Sequence, residues 1–227
     1  VRVRTPIIVV NFKCYHEAMG KNAVKLAKMA EEASLKTDVC IAVAVQPVDI
    51  FRVAKEASIP VFAQHVDAVK PGSFTGHVLP EAVKEAGAVG TLINHSEKRL
   101  NIADIDAIVT RVREVGLTSL VCANNALVSK AIASLDPDMV AVEVPELIGS
   151  GRAISKVKPE IVLNTVKLIK SINERVSILC GAGIVDPEDV AAALRLGTEG
   201  VLVASGVVKA KNPFDKLLGF AQACVEV

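Results

Sequence analysis

Residues 91–123, TLINHSEKRLNIADIDAIVTRVREVGLTSLVCA, read as a strand, an amphipathic helix and a second strand. Ile105, Ile108, Val109, Val112 and Val115 recur at the three-and-four spacing of one helix face. A helix is therefore expected over Asp104–Val115, with Gly116 where it should stop. The runs on either side, Thr91–Asn94 and Ser119–Ala123, are short and mostly apolar. Such runs suit strands buried on both faces, the pattern of a parallel sheet packed under helices.

Outward from this unit the same alternation repeats about eight times. Further strands are expected at Ile7–Asn11, Val39–Val45, Val61–Gln64, Met139–Val144, Ser177–Gly181 and Gly200–Val203. Further helices are expected at Asn22–Ser34, Val48–Ala57, Pro80–Ala86, Ala126–Leu135, Pro159–Asn173, Pro187–Leu196 and Pro213–Cys224. Asp186-Pro187 and Asn212-Pro213 each set a capping residue before a proline at the first helical position, and Gly87 and Gly197 stand where helices end. Eight strand-then-helix units leave a closed barrel or an open doubly wound sheet. The open sheet would want G-x-G-x-x-G after its first strand, whereas that strand runs into Asn11-Phe12-Lys13. The expected fold is α/β, a closed eight-stranded parallel (βα)8 TIM barrel, with residues 1–227 as a single domain.

Composition agrees with that choice. With 51% hydrophobic residues, 3% aromatic and no Trp, the core must be aliphatic, and no linker or low-complexity run divides it. A net charge of +1 without basic stripes argues against nucleic acid and against an anionic membrane surface, which leaves a small metabolite as partner. No apolar stretch approaches the ~20 residues that cross a bilayer. Val1–Thr5 lacks the build of a signal peptide, so the cytoplasm is the expected compartment. Cys14, Cys40, Cys122, Cys180 and Cys224 are odd in number and widely spaced, with no zinc pattern, and read as reduced thiols.

In a barrel the polar residues that follow each strand converge at one mouth. The first strand ends at Asn11 and Lys13, the fourth at Asn94-His95-Ser96-Glu97, the seventh at Gly181-Ala182-Gly183 and the eighth at Ala204-Ser205-Gly206. The sixth carries Glu143 on the face shared with Ala141, while Val140, Val142 and Val144 take the other. A buried carboxylate without a partner has its pKa pushed up, which suits a general base; paired with a Lys of a neighbouring strand, the same Glu would be structural. His95 is either an ordinary hydrogen-bonded histidine or a neutral donor, if Ser96-Glu97 opens a helical turn whose dipole disfavours the imidazolium. Lys13 is either a solvated loop lysine or a fixed cation for a phosphorylated anion. The small-residue turns after strands seven and eight could close backbone N–H groups around a phosphate.

Taken together and in this order, Asn11-Phe-Lys13, Thr75-Gly76, Asn94-His-Ser-Glu-Lys-Arg99, Ala141-Val-Glu-Val-Pro-Glu-Leu-Ile-Gly-Ser-Gly151 and the last two turns resemble the triosephosphate isomerase family over essentially the whole chain. The short chain, Pro145-Glu-Leu-Ile-Gly149 and Ala204-Ser-Gly206 resemble its compact archaeal branch. The resemblance implies that Glu143 moves a proton between adjacent carbons, that His95 polarises the substrate carbonyl, and that Lys13 with Asn11 and Phe12 holds the anionic substrate, Glu97 supporting the lysine. That division of roles is the family's. Ile148, Gly149, Gly183, Ala204 and Ser205 fall where the family grips the phosphate, and the loop Pro145–Gly151 would close over it. The implied activity is interconversion of dihydroxyacetone phosphate and D-glyceraldehyde 3-phosphate, in glycolysis and gluconeogenesis, with no metal or other cofactor. A homo-oligomer, dimer or tetramer, is implied too, with Thr75 and Gly76 in the loop that meets the neighbouring subunit.

One departure stands out. The family usually places proline directly after the glutamate, and here Val144 leaves that hinge freer, so loop closure is expected to cost more. Two rival readings are a different phosphate-binding barrel isomerase, which would rely on aspartates at strand ends, and a catalytically silent barrel that binds a partner.

Overall fold

In the computed structural model, which describes residues 3–143 and 158–227, the strands close into a barrel in chain order. They are β1 Ile7–Asn11, β2 Cys40–Val45, β3 Val61–Ala63, β4 Gly90–Ile93, β5 Thr118–Ala123, β6 Met139–Val142, β7 Ser177–Cys180 and β8 Gly200–Val203. Every pairing is parallel, and Ile7–Val10 of β1 lie beside Gly200–Val203 of β8 to complete the ring. Around it, among the described residues, run α1 Lys21–Thr37, α2 Ile50–Glu56, α3 Pro80–Glu85, α4 Ile102–Val115, α5 Ala126–Ala133, α6 Pro159–Ile172, α7 Pro187–Arg195, α8 Ser205–Val208 and α9 Pro213–Val225. The expected TIM barrel is present.

Two apolar layers follow from the two-residue period of the strands. Ile7, Val9, Ala42, Phe62, Leu92, Leu120, Ala141, Leu179 and Leu202 fill the interior of the ring, small residues beside large ones. Their neighbours Ile8, Val10, Val140, Ile178 and Val201 point outward and meet the helices. The α4 face buries Ile105, Ile108, Val109 and Val112, each worth roughly 1.5–3 kcal/mol of gross burial. Ring closure needs a glycine: a Cβ on Gly200 would strike the carbonyl oxygen of Ile7.

Element ends differ from expectation where exposed apolar residues hide the period. Leu35, 80% exposed, and Ile102, 54% exposed, fall off the buried stripes, so α1 runs on to Thr37 and α4 starts two residues early. There the Asn101 side chain caps the helix by accepting from Asp104 N at 3.0 Å. Residues 47–57 split into a 3-10 turn at Pro47–Asp49 followed by α2. Gly87, Gly116 and Gly197 do end helices, at φ of 102°, 73° and 90°. Strand β6 stops at Val142, although Glu143 N still donates to Ala123 O at 2.7 Å; Val144 lies outside the described residues.

At the N-terminal rim, polar groups staple neighbouring strands. Asp138 Oδ2 accepts from Ser119 N and Oγ, both at 2.8 Å, and Glu199 takes Ser177 Oγ at 2.7 Å and Lys170 Nζ at 2.8 Å. The C-terminal rim is organised otherwise.

Candidate active site

Asn11 ends β1 pointing inward, as Ile7 and Val9 do before it, and is 4% exposed. Its Oδ1 accepts from Lys13 N at 2.9 Å, while Gln64 Nε2 donates to Lys13 O at 2.9 Å and to Ala44 O at 3.1 Å. These bonds hold Lys13 at φ 48°, a left-handed conformation that costs a non-glycine residue of order 1 kcal/mol. The strain is offset by aim. Lys13 Nζ lies 2.8 Å from Glu97 Oε1 with the lysine side chain only 12% exposed.

Asn94, after β4, is also left-handed at φ 59°, which Asn tolerates because its side chain bonds locally. Here it donates to Cys122 O at 2.9 Å and accepts from Leu100 N at 2.9 Å. This kink delivers His95, 8% exposed, to the barrel mouth. Ser96-Glu97 forms a single turn, closed by Lys98 N to His95 O at 2.8 Å, that does not continue into a helix. The imidazole is kept neutral by burial, reinforced by Lys13, which together push its pKa down to about 4. Glu97 N donates to His95 Nδ1 at 3.2 Å, so in the neutral ring the proton sits on Nε2. That Nε2 lies 3.4 Å from Glu143 Oε1.

Glu143 is 2% exposed, and burial pushes its pKa up to about 7 against the opposing pull of Arg99, the Cys122 thiol and Lys13. Its second oxygen, Oε2, is buried with no hydrogen-bond partner among the described residues. A structural Glu matched to a neighbouring-strand Lys would not be left so. Gly181 makes the room: a Cβ there would stand 2.8 Å from Glu143 Cγ and 3.2 Å from Val142 O.

Asn11, Lys13, His95, Glu143, Gly183, Ala204 and Ser205 all line one cavity of about 260 Å³ at this rim. The cavity has room for a small metabolite. Phe12 is not brought there: fully buried, it packs between barrel and helices. Glu97 reaches the site through Lys13, Thr75 and Gly76 lie exposed on the loop after β3, and Ile148 and Gly149 fall outside the described residues. Sequence reading passed over Gln64, Cys122 and Tyr15. Gln64 carried a signal, as a polar residue ending an apolar run; Cys122 carried none, because a buried cysteine in a strand looks like any small hydrophobe. Among the described residues no group of three or more His, Cys, Asp or Glu is arranged to hold a metal ion, and no helix is long and apolar enough to cross a membrane.

The profile of the triosephosphate isomerase family matches residues 6–223, a span that contains every strand and every side chain of this cavity. The chain belongs to the triosephosphate isomerase family. It is 53% identical to a triosephosphate isomerase of Methanocaldococcus jannaschii over 206 residues, 91% of this chain and 94% of that one. A triosephosphate isomerase of Methanobacterium bryantii is 53% identical over 214 residues, 94% and 95% of the two chains. One of Archaeoglobus fulgidus is 52% identical over 216 residues, 94% and 97%.

Proposed function

We propose that this protein interconverts dihydroxyacetone phosphate and D-glyceraldehyde 3-phosphate, a step of glycolysis and gluconeogenesis, through an enediolate. The observation that carries the reading is the Glu143 carboxylate, its pKa raised to about 7, 3.4 Å from the Nε2 of a neutral His95 in a cavity that also holds Lys13. Glu143 takes a proton from C1 of dihydroxyacetone phosphate, and the electron pair of that C–H bond moves toward the carbonyl. Negative charge then builds on the carbonyl oxygen, where the His95 Nε2–H and the Lys13 ammonium meet it. Return of the proton to C2, with loss of the O1 proton and gain of one at O2, completes the aldehyde. A neutral imidazole suits this task because its Nε2–H can donate a hydrogen bond to the developing oxyanion while the ring stays uncharged at pH 7.

At the other end of the substrate, Gly183, Ala204 and Ser205, with Ile148 and Gly149 of the loop Pro145–Gly151, would grip the phosphate through backbone N–H groups. Closure of that loop would exclude water from the enediolate and discourage loss of phosphate. Val144 in place of the family's proline would make closure costlier; Val144→Pro should raise affinity for a phosphoglycolate-type inhibitor, and no change would remove the idea. We read residues 1–227 as one barrel domain, cytoplasmic, and assembled as a homodimer or homotetramer through the loop bearing Thr75 and Gly76. A spectrophotometric assay of triose phosphate interconversion, with Glu143→Gln as the control, tests the proposal directly. Turnover by the unaltered protein that survives intact in Glu143→Gln would overturn the assignment of the base.

A further inference from the structure

Tyr15 and Lys209 join the first and last loops of the barrel mouth. Tyr15 stands two residues beyond Lys13, half-buried, and forms part of the cavity wall. Lys209 follows α8; its N–H donates to Ser205 O at 3.0 Å and its Nζ sits 4.3 Å from the centre of the Tyr15 ring. Ser205 and Gly206 line both the main cavity and an adjoining groove that contains Lys209.

Of the two lysines in this groove without a carboxylate partner among the described residues, Lys209 and Lys211, Lys209 is the one seated on a residue of the cavity wall. Lys13 is paired with Glu97, and Lys216, in the same groove, is committed to Val185 O at 2.9 Å and to Asp186. Lys209 is paired with no carboxylate among the described residues. When Glu143 ionises to act as base, it repels a phosphomonoester, which carries about −1.5 to −2 at neutral pH. An uncompensated cation beside Ser205 and Gly206 would counter that repulsion at the phosphate end. The aromatic face keeps the ammonium there without neutralising it, so it remains free to meet an anion.

We propose that Lys209, held over the Tyr15 ring, draws the phosphate of the incoming substrate to the Ser205–Gly206 side of the mouth, with Tyr15 as its positioning residue. The proposal rests on the triose phosphate reading and deepens it, because no side-chain cation had been assigned to that side of the cavity. Its signature is a field effect, felt in encounter and weakened by salt.

The test compares wild type, Lys209→Met, Lys209→Arg, Tyr15→Leu and the remote Lys55→Met in two measurements. One is kcat/KM for triose phosphate at low and high ionic strength; the other is calorimetric binding of inorganic phosphate. Lys209→Met should lower kcat/KM about two- to fivefold at low salt, through KM, with the gap closing at high salt. Phosphate affinity should fall alongside it. Lys209→Arg should restore both, Tyr15→Leu should copy Lys209→Met, and Lys55→Met should match wild type. The inference is overturned if Lys209→Met tracks Lys55→Met, or if its defect persists undiminished at high salt with phosphate affinity unchanged, which is how a purely structural clip between loops behaves. Phosphate binding that depends on Lys209 in a wild-type protein without triose phosphate turnover would support the cation and reject the reaction.

Discussion

At the scale of single residues, Glu143 and His95 are displaced in opposite directions by the same burial, and the signs can be followed through to stability. Folding raises the Glu143 pKa from 4.5 to about 7, so between those values the folded chain holds a proton that the unfolded chain has released. Stability from this residue therefore falls as pH rises through that window, and the deficit, roughly 3 kcal/mol at about 1.4 kcal/mol per pH unit, is complete above it. Glu143→Gln should then be more stable than wild type at pH 8 by up to that amount while losing about a thousandfold in kcat; urea unfolding and turnover on one preparation check both. His95 runs the other way. Its pKa falls from 6.5 to about 4, so its contribution is present above the higher value and is lost as pH drops through the lower. In the pH profile of kcat/KM, which reports the free protein, the acid limb should fall near pH 7 and belong to Glu143, with no histidine limb until about pH 4. A limb near pH 4.5 in its place would show that Glu143 is solvated. His95, Glu143 and Lys13 are legible in the sequence because each is a charged or polar type at the end of an apolar run. The cause of the neutral imidazole is not: the turn after His95 does not continue into a helix, and burial and Lys13 act through space.

At the scale of elements, strand and helix identity is legible in the alternation of periods, while ends are blurred wherever an exposed Leu35 or Ile102 breaks the stripe. Contacts between strands are less legible still. Cys122 touches Glu143 only because β5 and β6 pair with Cys122 beside Ala141, a register no local pattern encodes. The junction after β7 shows the same dependence. Gly181 reads as part of a phosphate turn, yet its missing side chain is also what lets Glu143 occupy its place. Gly181→Ala should push the carboxylate aside, lowering kcat about a hundredfold, the penalty typical of a 1 Å misplacement, at a stability loss of only about 1–3 kcal/mol. Thermal unfolding and steady-state kinetics separate those two effects. A fully active alanine variant would mean that Glu143 has latitude this packing denies it.

At the scale of the whole molecule, the loop after β3 is exposed along residues 71–77. Its neck is closed by Asp67 N to Val78 O at 2.9 Å and Val78 N to Asp67 Oδ2 at 2.7 Å, and its tip carries Phe74, 46% exposed and edge-on to His77. If the loop serves the proposed homo-oligomer, Phe74→Ser should shift sedimentation toward the monomer and weaken activity in proportion to dilution. A variant that sediments as wild type would place the contact elsewhere. The ring itself imposes an order on synthesis. Ile7 N donates to Glu199 O at 3.1 Å, and β1 runs beside β8. On the ribosome, then, one edge of β1 emerges early and finds no partner until the last strand has cleared the exit tunnel. A nascent chain must keep that raw edge from other nascent chains until β8 arrives, which makes its crowded polysome a setting where aggregation threatens.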